Sequence, residues 1–314
     1  MSRSVLTSLV AAALLAVPAT ASAADTLVVP DPAADQITAL DGTIVWVSGK
    51  FGNQTLMQRT SAGTISAVKG APTSRNYRSI DLGRSRANSL VLTYLRCDSN
   101  QACKPISDDL AGRRTAFSKL TRPGCMVNAG PSQWRNRIAY GLFCTGSTAN
   151  RKRSGLYLKT DEHAPARLQL PKDAVKFAIR TIESVDLRGS RVAAVAADIY
   201  EYSFSQTTSG KDLRSFFAAA SEGESDASAR GLAIESSLAW WTLTNASHTG
   251  DPNETIIHRE FGGGCSRVER LTSPPDAEFL ATDLAFDGAV LYLLVPGTGI
   301  VTHTIAPEIP AACP

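Results

Sequence analysis

The chain has 314 residues, 43% of them hydrophobic, with 32 Lys and Arg against 29 Asp and Glu. So even a balance excludes a global electrostatic field for nucleic acid or an anionic membrane. The length is ample for a large hydrophobic core.

At the N-terminus, Arg3, the apolar run Val5 to Val17 and the small-residue triplet Ala21-Ser22-Ala23 read as a secretory signal peptide over residues 1–23. The run is shorter than a membrane span needs, and no later apolar segment is longer than a strand. The expected product is one secreted or extracytoplasmic domain at residues 24–314. Cleavage removes Arg3 and no acid, leaving 31 basic and 29 acidic residues.

Thr26-Leu27-Val28-Val29 is a short apolar strand, followed by Gln36 to Val47, where Asp41-Gly42 supplies the positive φ angles of a tight hairpin. Similar hairpins return at Ser79 to Leu95, Asn128 to Phe143, Val185 to Ala196, Leu232 to Leu243 and Asp283 to Val295. With Val45, Leu92, Ala139, Ala193, Ala239 and Leu291 as markers of an apolar inner strand, the steps are 47, 47, 54, 46 and 52 residues. That period predicts an all-β, six-bladed β-propeller of four-stranded blades. The last repeat has only three strands of its own, so Thr26 to Val29 is expected to complete it and close the ring. Two β-sandwich domains form the structural alternative; they require a boundary near Ser221 to Ser228, an acidic, small-residue stretch that reads as a flexible connection, but the hairpins continue past it at similar spacing, which favours one ring. Lys211 to Ala220 is left between strand and helical turn.

The segments TALDGTIVWV (Thr38 to Val47), SVDLRGSRVAAVA (Ser184 to Ala196) and ATDLAFDGAVLYLLV (Ala281 to Val295) resemble the TolB-like six-bladed propellers. The Pro-x-Trp-Ser-Pro-Asp-Gly type of segment is absent, leaving Asp41-Gly42 and Asp287-Gly288. The resemblance implies a protein-interaction scaffold. Related propellers accompany peptidase domains, for which these residues leave no room.

Six cysteines, Cys97, Cys103, Cys125, Cys144, Cys265 and Cys313, follow the cleavage point. Export with an even count predicts disulfides. The preferred pairs are Cys97 with Cys103 at a hairpin end, Cys125 with Cys144 between neighbouring strands, and Cys265 with Cys313 holding the tail. No CxxC pair or nearby histidine has the spacing of a zinc site.

No catalytic constellation is legible: His163, His248, His258 and His303 are scattered, and no GxSxG or HExxH occurs. Asp81, Asp186 and Asp283 recur as IDL, VDL and TDL, with Glu235 in a looser counterpart. Brought to one face of a ring, they are candidates to hold a ligand's basic part or a cation, calcium being the one considered. Their competing role, preferred from sequence, is to cap backbone N–H groups between blades. Arg151, Lys152 and Arg153 form the densest positive patch, a candidate grip on an anionic polymer, though a solvated loop explains it more simply. The leading function is noncatalytic recognition of an extracellular or cell-envelope protein, peptide or glycan by a monomer. A secreted hydrolase or lyase acting on a polysaccharide is the alternative, and whether the protein is an enzyme stays open at this stage.

Overall fold

The computed structural model describes residues 25–73, 75–98, 103–117, 120–161, 163–222, 225–248, 253–261, 265–272, 279–288 and 290–304. The signal-peptide segment and Cys313 lie outside them. The chain is all-β with a propeller arrangement.

The first strand, β1 (Thr26–Val29), is followed by the meander β2 (Ala34–Leu40), β3 (Thr43–Ser48), β4 (Thr55–Arg59) and β5 (Ile65–Ala67). Next come β6 (Asn76–Arg84), β7 (Leu90–Cys97), β8 (Cys103–Asp108) and β9 (Arg114–Ala116), then β10 (Cys125–Trp134), β11 (Arg137–Cys144), β12 (Gly155–Thr160) and β13 (Ala166–Arg167). Two short helices, α1 (Thr148–Arg151) and α2 (Lys172–Lys176), lie before β12 and after β13. The chain continues through β14 (Thr181–Arg188), β15 (Arg191–Ala197), β16 (Tyr200–Thr207) and β17 (Arg214–Glu222), and through β18 (Ser225–Ile234), β19 (Trp240–His248), β20 (Glu254–Glu260) and β21 (Ser266–Thr272). It finishes with β22 (Asp283–Phe286), β23 (Leu291–Val295) and β24 (Gly299–His303).

These strands form four sheets. Two have four strands, β2 to β5 and β22-β23-β24-β1. Two have eight, each made of two consecutive antiparallel meanders. The joins inside the larger sheets are slight: one parallel partner pair, Trp134 with Arg84, links β10 to β6, and two pairs at Ser221 and Glu222 link β17 to β18. As the sequence predicts, β1 pairs antiparallel with β24 and so completes the last meander.

Strand alternation explains the core. The second strand of each meander is covered on both faces, so it reads as a continuous apolar run rather than as apolar-polar alternation. In β3, Val45 and Val47 pack toward β6 and β7, while Ile44 and Trp46 pack toward β22 to β24. In β15, Val192, Ala194 and Ala196 join the cluster shared with β10 to β12, while Ala193 joins Ile234 and Trp240. In β19, Trp240 and Trp241 point to opposite faces; both are buried, and the Trp240 indole N–H donates to Ser203 Oγ at 3.0 Å. Each side chain of this size buried from water contributes about 2 to 3 kcal/mol. Apolar clusters thus lie between successive meanders, and one joins the last to the first.

The Asp41-Gly42 hairpin turn has φ of 53° and 72°, the two positive values that the Asp-Gly pair tolerates. Two sequence readings are corrected. The marker residues Val45, Leu92, Ala139, Ala193 and Leu291 sit on second strands, so the strand nearest the axis is the preceding, more polar one. The stretch read as a flexible connection is the β17–β18 hairpin, where Ser221 pairs with Asp226 and Glu222 with Ser225. Its polar composition was mistaken for a break, although a hairpin satisfies its backbone whatever its side chains. Lys211 to Ala220 resolves as the approach to β17 and most of that strand.

Candidate functional site

The first strands of the meanders, β2, β6, β10, β14, β18 and β22, all contribute to the wall of an axial cavity of about 550 Å³. They run close together because small residues permit it. A Cβ on Gly83 would lie 1.8 Å from the Gln133 carbonyl oxygen, and one on Gly231 would lie 2.7 Å from the Leu284 nitrogen.

Neighbouring inner strands are clasped by side chains. Thr38 Oγ1 accepts the Leu82 N–H at 2.9 Å, Ser132 Oγ accepts the Leu187 N–H at 2.7 Å, and Asp186 Oδ2 accepts the Ile234 N–H. At the last-to-first junction Asp283 Oδ2 takes the Ile37 N–H at 2.9 Å, while its Oδ1 takes the Leu284 N–H at 2.8 Å. The capping role anticipated from sequence is therefore real for Asp186 and Asp283. These same carboxyls, with Asp81, also line the cavity.

The cavity has two unlike ends. Asp35, Arg78 and Glu183, near the N-terminal ends of β2, β6 and β14, and Arg230, midway along β18, line it and are exposed. At the other end the walls are buried Ala39, Asp186, Ala285 and Phe286, and Arg188 reaches from β14 to the Phe286 carbonyl at 2.8 Å and the Ala39 carbonyl at 3.4 Å. That guanidinium spans the floor, so the cavity opens at the Asp35 end.

Electrostatics single out Asp81. Burial pushes its carboxyl well above the usual range, and the Asp186 charge pushes it further; the Ser132 hydroxyl, Arg188 and the Gln133 amide oppose the rise. Burial also raises Asp186, against Arg188 and the Ile234 and Leu187 amides. Asp283 is pushed up to about 7, chiefly by burial. Asp81 Oδ2 and Asn128 Oδ1 are buried with no hydrogen-bond partner among the described residues. The Asn128 amide orientation follows from its other end, where Nδ2 donates to the Ile182 carbonyl at 2.6 Å, which leaves Oδ1 as the acceptor.

The other predicted residues lie elsewhere. Glu235 is absent from the cavity wall and pairs with Arg259, whose guanidinium also lies over the rings of Trp241 and Phe261 at 5.0 and 4.6 Å. Arg151, Lys152 and Arg153 are exposed at the end of α1, where the Lys152 carbonyl accepts from Arg167 at 3.0 Å and the Arg153 carbonyl accepts from Tyr157 at 2.7 Å. Cys97 is bonded to Cys103 and Cys125 to Cys144, as expected. Cys265 is disulfide-bonded; its expected partner lies outside the described residues. No three His, Cys, Asp or Glu side chains gather to hold a metal ion among the described residues.

Sequence reasoning missed Asn128, Arg188, Glu183, Arg78 and Arg230. The available signal was positional: Arg188 follows the VDL triplet directly, and Arg78 precedes IDL on the same strand.

No family model matches the sequence, and no curated protein does. Among solved structures, one named as a gluconolactonase aligns with a TM-score of 0.53 at 10% identity, over 89% of this chain and 91% of that one. The Aleuria aurantia lectin, described as a six-bladed β-propeller with a fucose recognition mode, aligns over 90% of this chain and 98% of its own at 9% identity and a TM-score of 0.47. A Mycobacterium tuberculosis puromycin-hydrolyzing peptidase aligns at 11% identity and a TM-score of 0.48 over 88% of this chain, which spans 53% of that protein's length. Likeness at such identity shows the fold alone, a β-propeller.

Proposed function

We propose that this chain is a secreted, six-bladed, TolB-like propeller that binds its ligand without transforming it, taking a donor-bearing group of an extracellular protein, peptide or glycan into the axial cavity. The observation that carries this reading is the two buried oxygens without hydrogen-bond partners among the described residues, Asp81 Oδ2 and Asn128 Oδ1, in a cavity open at one end. A buried acceptor left without a donor costs about 1 to 3 kcal/mol, which a ligand's N–H or O–H groups return. Six successive four-strand meanders support the blade count. The disulfides support an exported chain, and no helix among the described residues is long and apolar enough to cross a membrane.

Binding is favoured over hydrolysis by how the carboxyls are used. Glycoside hydrolysis with a carboxyl pair needs both groups facing the scissile bond. Here one oxygen each of Asp283 and Asp186 accepts a backbone N–H from the neighbouring inner strand, and the other Asp283 oxygen accepts the N–H of the adjacent Leu284. The secreted hydrolase or lyase reading rests on the raised Asp81 carboxyl beside Asp186, a group suited to giving up a proton.

The test is a thermal-shift screen of extracellular glycans and peptides against the wild type and Asn128→Leu. Ligands that raise the wild-type midpoint and leave the variant unmoved support the axial site. Equal shifts in both place binding elsewhere, and chemical change of a screened compound selects the enzyme reading.

A further inference from the structure

Resting on that binding reading, we infer that the axial cavity recognises a primary ammonium group, docked on Asp81 Oδ2 and Asn128 Oδ1. The acceptors themselves argue for it. Neither has a hydrogen-bond partner among the described residues, and Asn128 is held acceptor-inward by its bond to the Ile182 carbonyl. An ammonium brings three donors and no acceptor, so it is matched to a wall of unmet oxygens and adds no unmet lone pair. A hydroxyl brings one donor and two lone pairs, which then need donors from the wall.

The charge around the cavity points the same way. Asp35, Asp81, Glu183, Asp186 and Asp283 line it against Arg78, Arg188 and Arg230. Asp35, Glu183, Arg78 and Arg230 are exposed at the mouth and balance one another, so the interior holds Asp81, Asp186 and Asp283 against Arg188 alone, which is committed to the carbonyls of Phe286 and Ala39. The buried interior is therefore acidic in excess, and a cation there offsets the like-charge cost between Asp81 and Asp186. An anionic ligand meets the opposite field.

Titration calorimetry on the mature full chain tests the inference with D-glucosamine hydrochloride and D-glucose, which differ by an ammonium in place of one hydroxyl. The expected result is binding of glucosamine, with glucose weaker by at least about tenfold. Asp81→Asn is expected to weaken glucosamine by a similar factor, while Asp161→Asn, on the surface, leaves it unchanged. If Asp81→Asn does not fold, Asn128→Leu takes its place. Equal affinity for glucose overturns the ammonium assignment and leaves the binding reading standing. Heat from calcium chloride with none from glucosamine also overturns it. If neither sugar binds while a compound from the thermal-shift screen occupies the cavity, the ammonium assignment alone fails; if nothing from the screen binds either, both readings fail.

Discussion

The guanidinium of Arg188 donates across the axis to the carbonyl oxygen of Phe286 at 2.8 Å, joining residues 98 positions apart in sequence. The same group lowers the raised carboxyls of Asp81 and Asp186. Arg188 therefore closes the cavity floor and neutralises part of its acidic lining. Arg188→Met removes both effects. The melting midpoint is expected to fall by about 4 to 8 °C, from a loss of roughly 2 kcal/mol, and calorimetric melting at pH 7 measures it.

The inter-strand clasps make a second prediction. Ser132→Ala removes the acceptor of the Leu187 N–H, and Ser132 is fully buried. An amide orphaned there costs about 1 to 3 kcal/mol. Urea unfolding monitored by tryptophan fluorescence is expected to show a lower midpoint for Ser132→Ala than for Ser66→Ala, which changes an exposed outer-strand hydroxyl.

Asp283 gives a pH dependence with a definite sign. Its folded carboxyl is held at about 7 against an ordinary 3.8, so between those values the folded state binds more protons than the unfolded one. The contribution is fully present below the ordinary value and is lost as pH rises through the folded one. Asp283→Asn is expected to flatten the fall in stability between pH of about 4 and about 7. Urea midpoints for both proteins across that window decide it, and parallel curves would contradict the assignment.

His258 acts in the opposite direction. Burial depresses its imidazole to about 4, Nε2 has no hydrogen-bond partner among the described residues, and the ring packs 5.0 Å from Phe216. A histidine held neutral contributes stability above its ordinary value of 6.5, and that contribution is lost as pH falls toward 4. His258→Phe keeps the ring contact and is expected to reduce the loss of stability on acidification, by about 2 kcal/mol at pH 5, read from urea midpoints at pH 5 and pH 7.

Loop length ranks the two described disulfides. Cys125–Cys144 spans 19 positions and Cys97–Cys103 spans 6. Chain-entropy reasoning assigns about 3 kcal/mol to the longer loop and about 2 to the shorter. Paired Cys→Ala variants are expected to melt in that order.

Much of this architecture was legible because its signals are local. Asp41-Gly42 announces its hairpin through the φ values it adopts, and the apolar runs at Val45 and Ala193 announce strands covered on both faces. What escaped the sequence was which strand faces the axis. Hydrophobic runs mark burial between sheets, whereas the axial strand mixes Asp, Ser, Thr and Gly, whose clasp and close-approach roles appear only when sheets from distant parts of the chain meet. Asp81, Asp186 and Asp283 were found because they recur in a triplet. Asn128 and Arg188 have no repeat signature, and their importance lies in contacts to Ile182 and Phe286 that spacing does not encode. Glu235 fits the repeat loosely, yet it lies one residue past the end of β18 and pairs with Arg259.

The most direct measurement of the central claim is the side-chain amide resonance of Asn128 in isotope-labelled protein titrated with D-glucosamine. A ligand donating to Oδ1 is predicted to shift the Asn128 amide protons together with the backbone amides of Asp81 and Ser184, along one saturating curve. Saturable binding by calorimetry with these resonances unmoved would contradict the axial site.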